Sequence, residues 1–87
     1  MKMRDLTPEE EARVEGATIE DALDALNGSA IAHYKILSDG SAEAWEHVSI
    51  GADPVLTMSA KVNRGSVAKS AMCLAIIAGE RETVVEL

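Results

Sequence analysis

The sequence feature that most constrains this fold is an uninterrupted apolar run from Ala71 to Ala78, matched nowhere else in the chain. Alanine, methionine and leucine dominate the surrounding segment, and these residues have high helix propensity. Ser66 suits an N-cap and Gly79 suits the position after the last helical residue, so we predict a helix between them. Eight apolar residues are far fewer than the roughly 20 that cross a bilayer, so we expect no membrane span.

A helix this apolar must be covered on most of its surface, because only Lys69 and Ser70 supply polar side chains near its start. One side is a stripe of small residues that allows close packing on a sheet: Ala68, Ala71, Ala75 and Ala78. The bulkier side includes Met72, Ile76 and Ile77. Two interpretations stay open. Either this chain wraps the helix, or a homo-oligomer or another partner covers the three bulky side chains.

Length and charge limit the remaining alternatives. We predict one domain over residues 1–87, with residues 1–5 disordered. The chain has no Phe, one Trp and one Tyr, so its core must be thin. The net charge is −7, which disfavours contact with nucleic acid or membrane and favours a basic protein surface. A single cysteine and the lack of a recognisable signal segment predict a cytoplasmic protein.

The amino-terminal region carries helix signals. The segment Thr7–Glu10 has the form of a capping box with proline at the first helical position. Gly16 interrupts the pattern and Thr18 can cap a new helix, so we predict either one kinked helix or two short ones that end near Asn27. An alternative, with residues 12–17 forming a strand before the helix, stays open.

An Asp-Gly pair within Ser38–Ser41 lies between two apolar-bearing segments and predicts a β-hairpin. If all four residues form the loop, Leu37 pairs with Ala42, and Tyr34 pairs with Trp45 on the other face of the sheet. We favour a place in the core for the two aromatic side chains. They become a contact surface if the helices cover the other face. A helix over residues 42–49 is the alternative.

A third strand is predicted from Val55 to Val62, where the side chains alternate. This alternation places four apolar side chains on one face: Leu56, Met58, Ala60 and Val62. Residues 82–87 are expected to form a short last strand or a tail. The predicted fold class is α+β, a three-stranded antiparallel sheet with both the amino-terminal and the carboxy-terminal helix on one face.

This order of elements resembles the double-stranded-RNA-binding domain, over roughly residues 18–79. The local sequence is also similar, with Tyr34–Ser38 in a first strand and Gly65–Ala71 opening the last helix. The resemblance implies that Arg64 and Lys69 contact phosphates at the start of that helix. Only Lys69 matches the lysine cluster of the family, and the first helix is acidic here. We therefore carry nucleic-acid binding as an alternative.

The sequence shows no recognisable set of catalytic residues, so we predict neither an enzyme nor a cofactor or metal site. Cys73 lies in the apolar run and is expected to be an inert structural thiol. His33 and His47 project from opposite faces of the predicted hairpin, which argues against a shared metal ion. Paired carboxylates suited to acid–base catalysis are not indicated by the spacing.

These observations favour a non-enzymatic protein-interaction module that binds a basic partner surface. The candidate binding residues are Glu9, Glu10, Glu11, Glu20, Asp21 and Asp24, together with Tyr34 and Trp45. In size and charge the chain is similar to small phage-encoded inhibitors, among them the anti-CRISPR proteins, which block nucleic-acid-handling machinery. The alternatives are the nucleic-acid binder described above and an oligomeric structural subunit.

Overall fold

The computed structural model describes residues 5–78 and contains three helices and one three-stranded antiparallel sheet. In chain order the elements are α1 (Pro8–Glu15), α2 (Ile19–Asn27), β1 (His33–Ile36), β2 (Ser41–Ile50), β3 (Asp53–Asn63) and α3 (Val67–Ala78). The predicted α+β class is confirmed, and residues 42–49 form a strand. The predictions for residues 1–4, for Gly79 and for residues 82–87 lie outside the described residues.

The amino-terminal region forms two short helices, because each has its own cap. The Thr7 N–H donates to Glu10 Oε1 at 2.9 Å, and the Glu10 N–H donates to Thr7 Oγ1 at 3.2 Å, which completes the predicted capping box. The α1 helix ends at Glu15, and Gly16 is its C-cap. Thr18 Oγ1 accepts a hydrogen bond from the Asp21 N–H at 3.2 Å and caps α2. The alternative strand over residues 12–17 is therefore wrong.

The α3 helix lies at the centre of the hydrophobic core. Every side chain from Ser70 to Ala78 is buried. The core joins them to side chains of the other elements, including Val14 of α1, Leu26 of α2 and Ala42 of β2. The three bulky side chains proposed for self-association are only 5–9% exposed: Met72, Ile76 and Ile77. The folded chain covers them, so it does not present them to a partner.

The β1–β2 register differs from our prediction by one residue. The Leu37 N–H donates to the Ser41 carbonyl at 2.9 Å, so the loop has three residues, and Gly40 adopts a φ of +88° within it. Tyr34 consequently faces Ala44, and Trp45 faces His33. A one-residue shift moves side chains to the other face of a sheet. The predicted pairing of Tyr34 with Trp45 is wrong.

A β-bulge in β3 overturns the predicted alternation of that strand. Ala44 pairs with Ala60, but Trp45 pairs with Met58, so Ser59 is an extra residue in β3. Ala60 and Val62 are buried on the side of the core, whereas Leu56 and Met58 are 40% and 46% exposed. The four apolar side chains predicted to share one face are therefore divided between two faces.

The sheet has one covered face and one face that no described helix covers. Ala42 and Ala44 are fully buried on the covered face, where α3 contacts β2 and β3. We call the opposite side the outer sheet face. Its side chains follow from the register: His33, Lys35, Glu43, Trp45, His47, Leu56, Met58 and Lys61.

A buried serine joins two loops to the start of α3. The Arg64 N–H donates to Ser70 Oγ at 2.8 Å, and the Ser70 hydroxyl donates to the Gly40 carbonyl oxygen. A Cβ at Gly40 would lie 3.5 Å from backbone atoms of Gly65 and Ser66, so the two loops are in close contact. The sequence led us to place Ser70 on a polar arc of the helix, but it is fully buried.

We predict that Ser70→Ala lowers the free energy of unfolding by about 1–3 kcal/mol, because it leaves the Arg64 N–H and the Gly40 carbonyl without their partner. Urea unfolding measures this loss. Ser49→Ala is the matched control, since Ser49 is exposed and should change stability by less than about 0.5 kcal/mol. Equal stability of the two variants would contradict a bridging role for Ser70.

The β1–β2 loop also contains a carboxylate with a lowered pKa. Asp39 Oδ1 accepts hydrogen bonds from the Ser41 hydroxyl and, at 3.0 Å, from the Ser41 N–H. The hydroxyl and then the backbone N–H of Ser41 hold the pKa of Asp39 below its usual value of 3.8. The ionised carboxylate therefore stabilises the folded state at neutral pH, and this contribution disappears as the pH falls through the folded-state pKa.

We predict that Asp39→Asn is less stable than the parent protein at neutral pH and that the difference shrinks below about pH 4. The asparagine keeps a hydrogen-bond acceptor but lacks the charge. Urea unfolding of both proteins across this pH range tests the sign, because carboxylates common to both proteins cancel in the difference. A difference that does not change with pH would refute the assignment.

Candidate interaction surfaces

The first candidate surface is the acidic side of α1 and α2. Residues 8–27 contain seven carboxylates and one cation, Arg13, which gives a formal charge of −6. Four exposed carboxylates form no ion pair with any residue in the range 5–78: Glu9, Glu20, Asp21 and Asp24. This surface therefore has a strong negative field that no cation within residues 5–78 neutralises by an ion pair with these four groups.

Two further acids of α1 are paired with the cations proposed to bind phosphate. The Arg64 guanidinium donates to the Glu11 carboxylate, and Lys69 Nζ lies 3.0 Å from Glu15 Oε2. The pairs are partly exposed, so each adds little to stability. Their main effect is local: the two cations near the start of α3 already have carboxylate partners from the same chain. Glu11 is correspondingly less available to an external partner than we predicted.

A groove between α1 and α2 adds shape to the acidic surface. Its volume is about 480 Å³, and its lining includes the alanines Ala12, Ala17 and Ala25 together with Arg13, Asp21 and Asp24. Glu10, also on our list of binding residues, instead takes part in the capping box of α1. The groove is large enough to receive a long side chain, and its carboxylates suit a cation.

The second candidate surface is the outer sheet face, with Trp45 at its middle. Lys35 Nζ lies 4.8 Å from the centroid of the Trp45 ring, within the range of a cation–π interaction. The indole Nε1 is buried and has no hydrogen-bond partner among residues 5–78. Tyr34, which we expected beside Trp45, packs against the core and donates to Asn27 Oδ1 at 3.3 Å. The two aromatics thus have different roles.

The distal half of the β2–β3 hairpin is a feature that our sequence interpretation missed. Side chains 47–49 and 51–58 are exposed, and β1 pairs only with the first half of β2. Two apolar side chains on the face opposite the outer sheet face, Val48 and Val55, are 45% and 42% exposed. A two-stranded hairpin is marginally stable alone. The distal half is exposed because β1 has four residues whereas β2 and β3 have ten and eleven, so β1 ends before it reaches this part of β2.

The histidines and the cysteine do not form a chemical site. His33 faces Trp45, and His47 is two residues further along β2, so both histidines lie on the outer sheet face. Our prediction of opposite faces is wrong, because it assumed the other register. Within residues 5–78, no group of three or more His, Cys, Asp or Glu side chains is arranged to hold a metal ion. Cys73 is a buried free thiol.

Burial raises the pKa of the Cys73 thiol by disfavouring the thiolate; Arg64 opposes this rise, and Glu11 and Glu10 add to it. We predict that Cys73 in the folded protein reacts with a disulfide reagent more slowly than in urea-unfolded protein, by on the order of a hundredfold or more. Absorbance of the released thiolate measures the rate, and the signal is unambiguous because the chain has one cysteine. Equal rates in the two states would refute the inert role.

The acidic side of α1 and α2 and the outer sheet face are the basis for the function proposed below. Among residues 5–78, the structure contains no helix with both the length and the apolar character required to cross a membrane. Neither the protein-family models, nor the curated proteins, nor the solved structures gave a match to this chain.

Proposed function

We propose that this chain is a non-enzymatic protein-interaction module that binds a basic surface of a partner protein through the acidic side of α1 and α2. The observation that supports this most directly is a set of exposed carboxylates that form no ion pair with the part of the chain that the structure describes: Glu9, Glu20, Asp21 and Asp24. An uncompensated charge of one sign accelerates association with a surface of the opposite sign.

The groove between α1 and α2 is the proposed binding site for a basic side chain of the partner. An arginine side chain of the partner would place its aliphatic part on the alanines that line this groove and its guanidinium beside Asp21 and Asp24. Arginine suits the position because its planar donors match carboxylates and its stem packs on apolar surface. Tyr34 packs against the core, so we do not include it in the proposed contact surface.

In its finer form, the proposal is that the acidic helices occupy a surface that the partner uses to bind nucleic acid. Carboxylates spaced along a helix resemble phosphates in charge, and a protein that binds phosphates presents the lysines and arginines that carboxylates require. The chain would then act as an inhibitor of nucleic-acid-handling machinery, as do the small phage-encoded inhibitors to which it is similar in size and charge.

Neither alternative function gains a specific supporting observation. Nucleic-acid binding through Arg64 and Lys69 would have to compete with Glu11 and Glu15, which already hold these cations. Self-association through α3 would require the chain to uncover side chains that lie in its core. The acidic helical surface needs neither rearrangement.

We predict that Glu20→Gln combined with Asp24→Asn weakens binding to an arginine-rich peptide by several-fold, because two surface ion pairs are lost. Titration calorimetry at low and at physiological salt measures the affinity. Glu46→Gln combined with Asp53→Asn is the matched control, since it removes the same charge from the β2–β3 hairpin.

The comparison separates a defined surface from general acidity. The proposal requires the α2 variant to lose affinity and salt dependence while the hairpin control retains both. Equal losses in the two variants, or binding that does not respond to salt, would refute the assignment of the acidic helices as the binding surface.

A further inference from the structure

The outer sheet face differs in charge from the rest of the chain. The register places Lys35, Glu43 and Lys61 side by side in one row across the three strands. This row has a formal charge of +1, from two lysines and one glutamate, in a chain whose net charge is −7. The acidic helices contact α3, which lies against the other face of the sheet. The outer sheet face therefore carries a small positive formal charge, whereas the helices on the other side are acidic.

The row next to the lysines is apolar at its centre. His33, Trp45 and Met58 form this row, and Leu56, two residues before Met58 in β3, lies on the same face. Met58 is 46% exposed and Leu56 is 40% exposed, while the Trp45 ring lies beneath the Lys35 ammonium. Tryptophan and methionine are enriched at protein interfaces, and tryptophan is among the commonest binding hot spots.

We propose that the outer sheet face is a second binding surface, which takes an acidic peptide segment of a partner protein. Carboxylates of the peptide pair with Lys35 and Lys61, and its apolar side chains pack on Trp45, Met58 and Leu56. A carboxylate that draws Lys35 away from the indole also uncovers the ring for an apolar side chain. This surface is separate from the acidic helices, so the inference does not depend on the proposed function.

Charge selects a peptide over a nucleic acid. A nucleic acid brings one negative charge per phosphate and gains affinity by neutralising many of them, but this face offers only two lysines. The chain's net charge of −7 also repels a polyanion at long range. A short peptide with two or three carboxylates avoids most of this repulsion, and it supplies the apolar side chains that Met58 and Leu56 require.

Charge also disfavours a second copy of this chain on the same face. In a two-fold symmetric contact the same patch lies on both sides of the interface. Each copy would then bring its row of Lys35, Glu43 and Lys61, with a formal charge of +1, against the same row of the other copy, and the two net positive charges repel. A partner with carboxylates satisfies both lysines without this conflict.

The fluorescence of Trp45 tests the inference directly, because Trp45 is the only tryptophan in the chain. The probe is a short blocked peptide in which glutamate alternates with leucine or phenylalanine. Its control has glutamine at every glutamate position. We expect the glutamate peptide to change the tryptophan emission in a saturable way, and the glutamine peptide to bind at least about threefold more weakly.

Variants locate the contact. Lys35→Gln and Lys61→Gln should each weaken binding of the glutamate peptide by about threefold, and Met58→Ser should weaken both peptides. Lys69→Gln is the matched control, since it removes the same charge near the start of α3, away from the outer sheet face. Circular dichroism confirms that each variant is folded.

Three outcomes would overturn the inference. One is unchanged Trp45 emission up to millimolar glutamate peptide (about the weakest affinity worth measuring). Another is a loss of affinity in Lys69→Gln equal to that in Lys35→Gln, which would indicate a general charge effect. The third is tighter binding of oligothymidylate than of the glutamate peptide, which would assign the face to single-stranded nucleic acid.

Discussion

Burial of α3 is the constraint on which the rest of this structure depends. Its residues from Ser70 to Ala78 are all buried, and a helix without an exposed face needs cover from every side. The chain contains no Phe, so the cover comes from smaller side chains such as Val14, Leu26 and Ala44. The buried side chains that do this among residues 5–78 come from α1, α2, β2 and β3. No helix within residues 5–78 covers the outer sheet face or the distal hairpin.

The second consequence of this arrangement is a division of charge. Seven carboxylates lie in α1 and α2, whereas the outer sheet face carries Lys35 and Lys61 with Glu43 between them. Glu11 and Glu15 bind Arg64 and Lys69 at the start of α3, which removes the positive field that a phosphate would need there. The phosphate contacts that the resemblance to the double-stranded-RNA-binding domain implied would therefore have to displace these carboxylates, and fold alone does not determine function.

Sequence reasoning succeeded where the signal lies within a few residues. The capping box at Thr7, the second cap at Thr18 and the Asp39-Gly40 turn all depend on contacts within one turn of the chain. The helix over Val67–Ala78 followed from its own composition and from the cap at Ser66, whose Oγ accepts from the Lys69 N–H at 3.3 Å. Caps and turns depend on residues that are neighbours in the sequence, so the local sequence is enough to predict them.

The faces of the sheet and the partners of the charges were decided by the tertiary structure. A three-residue loop instead of a four-residue loop moved Trp45 away from Tyr34, and the extra residue Ser59 moved Met58 away from Ala60. Glu11 and Arg64 are 53 residues apart in the chain, so no local pattern links them. The sequence by itself therefore determined the elements, their order and the acidity of the first two helices. Which side chains meet depended on register and on long-range packing, because one residue of slip inverts a strand and because distant charges meet only after the core has formed.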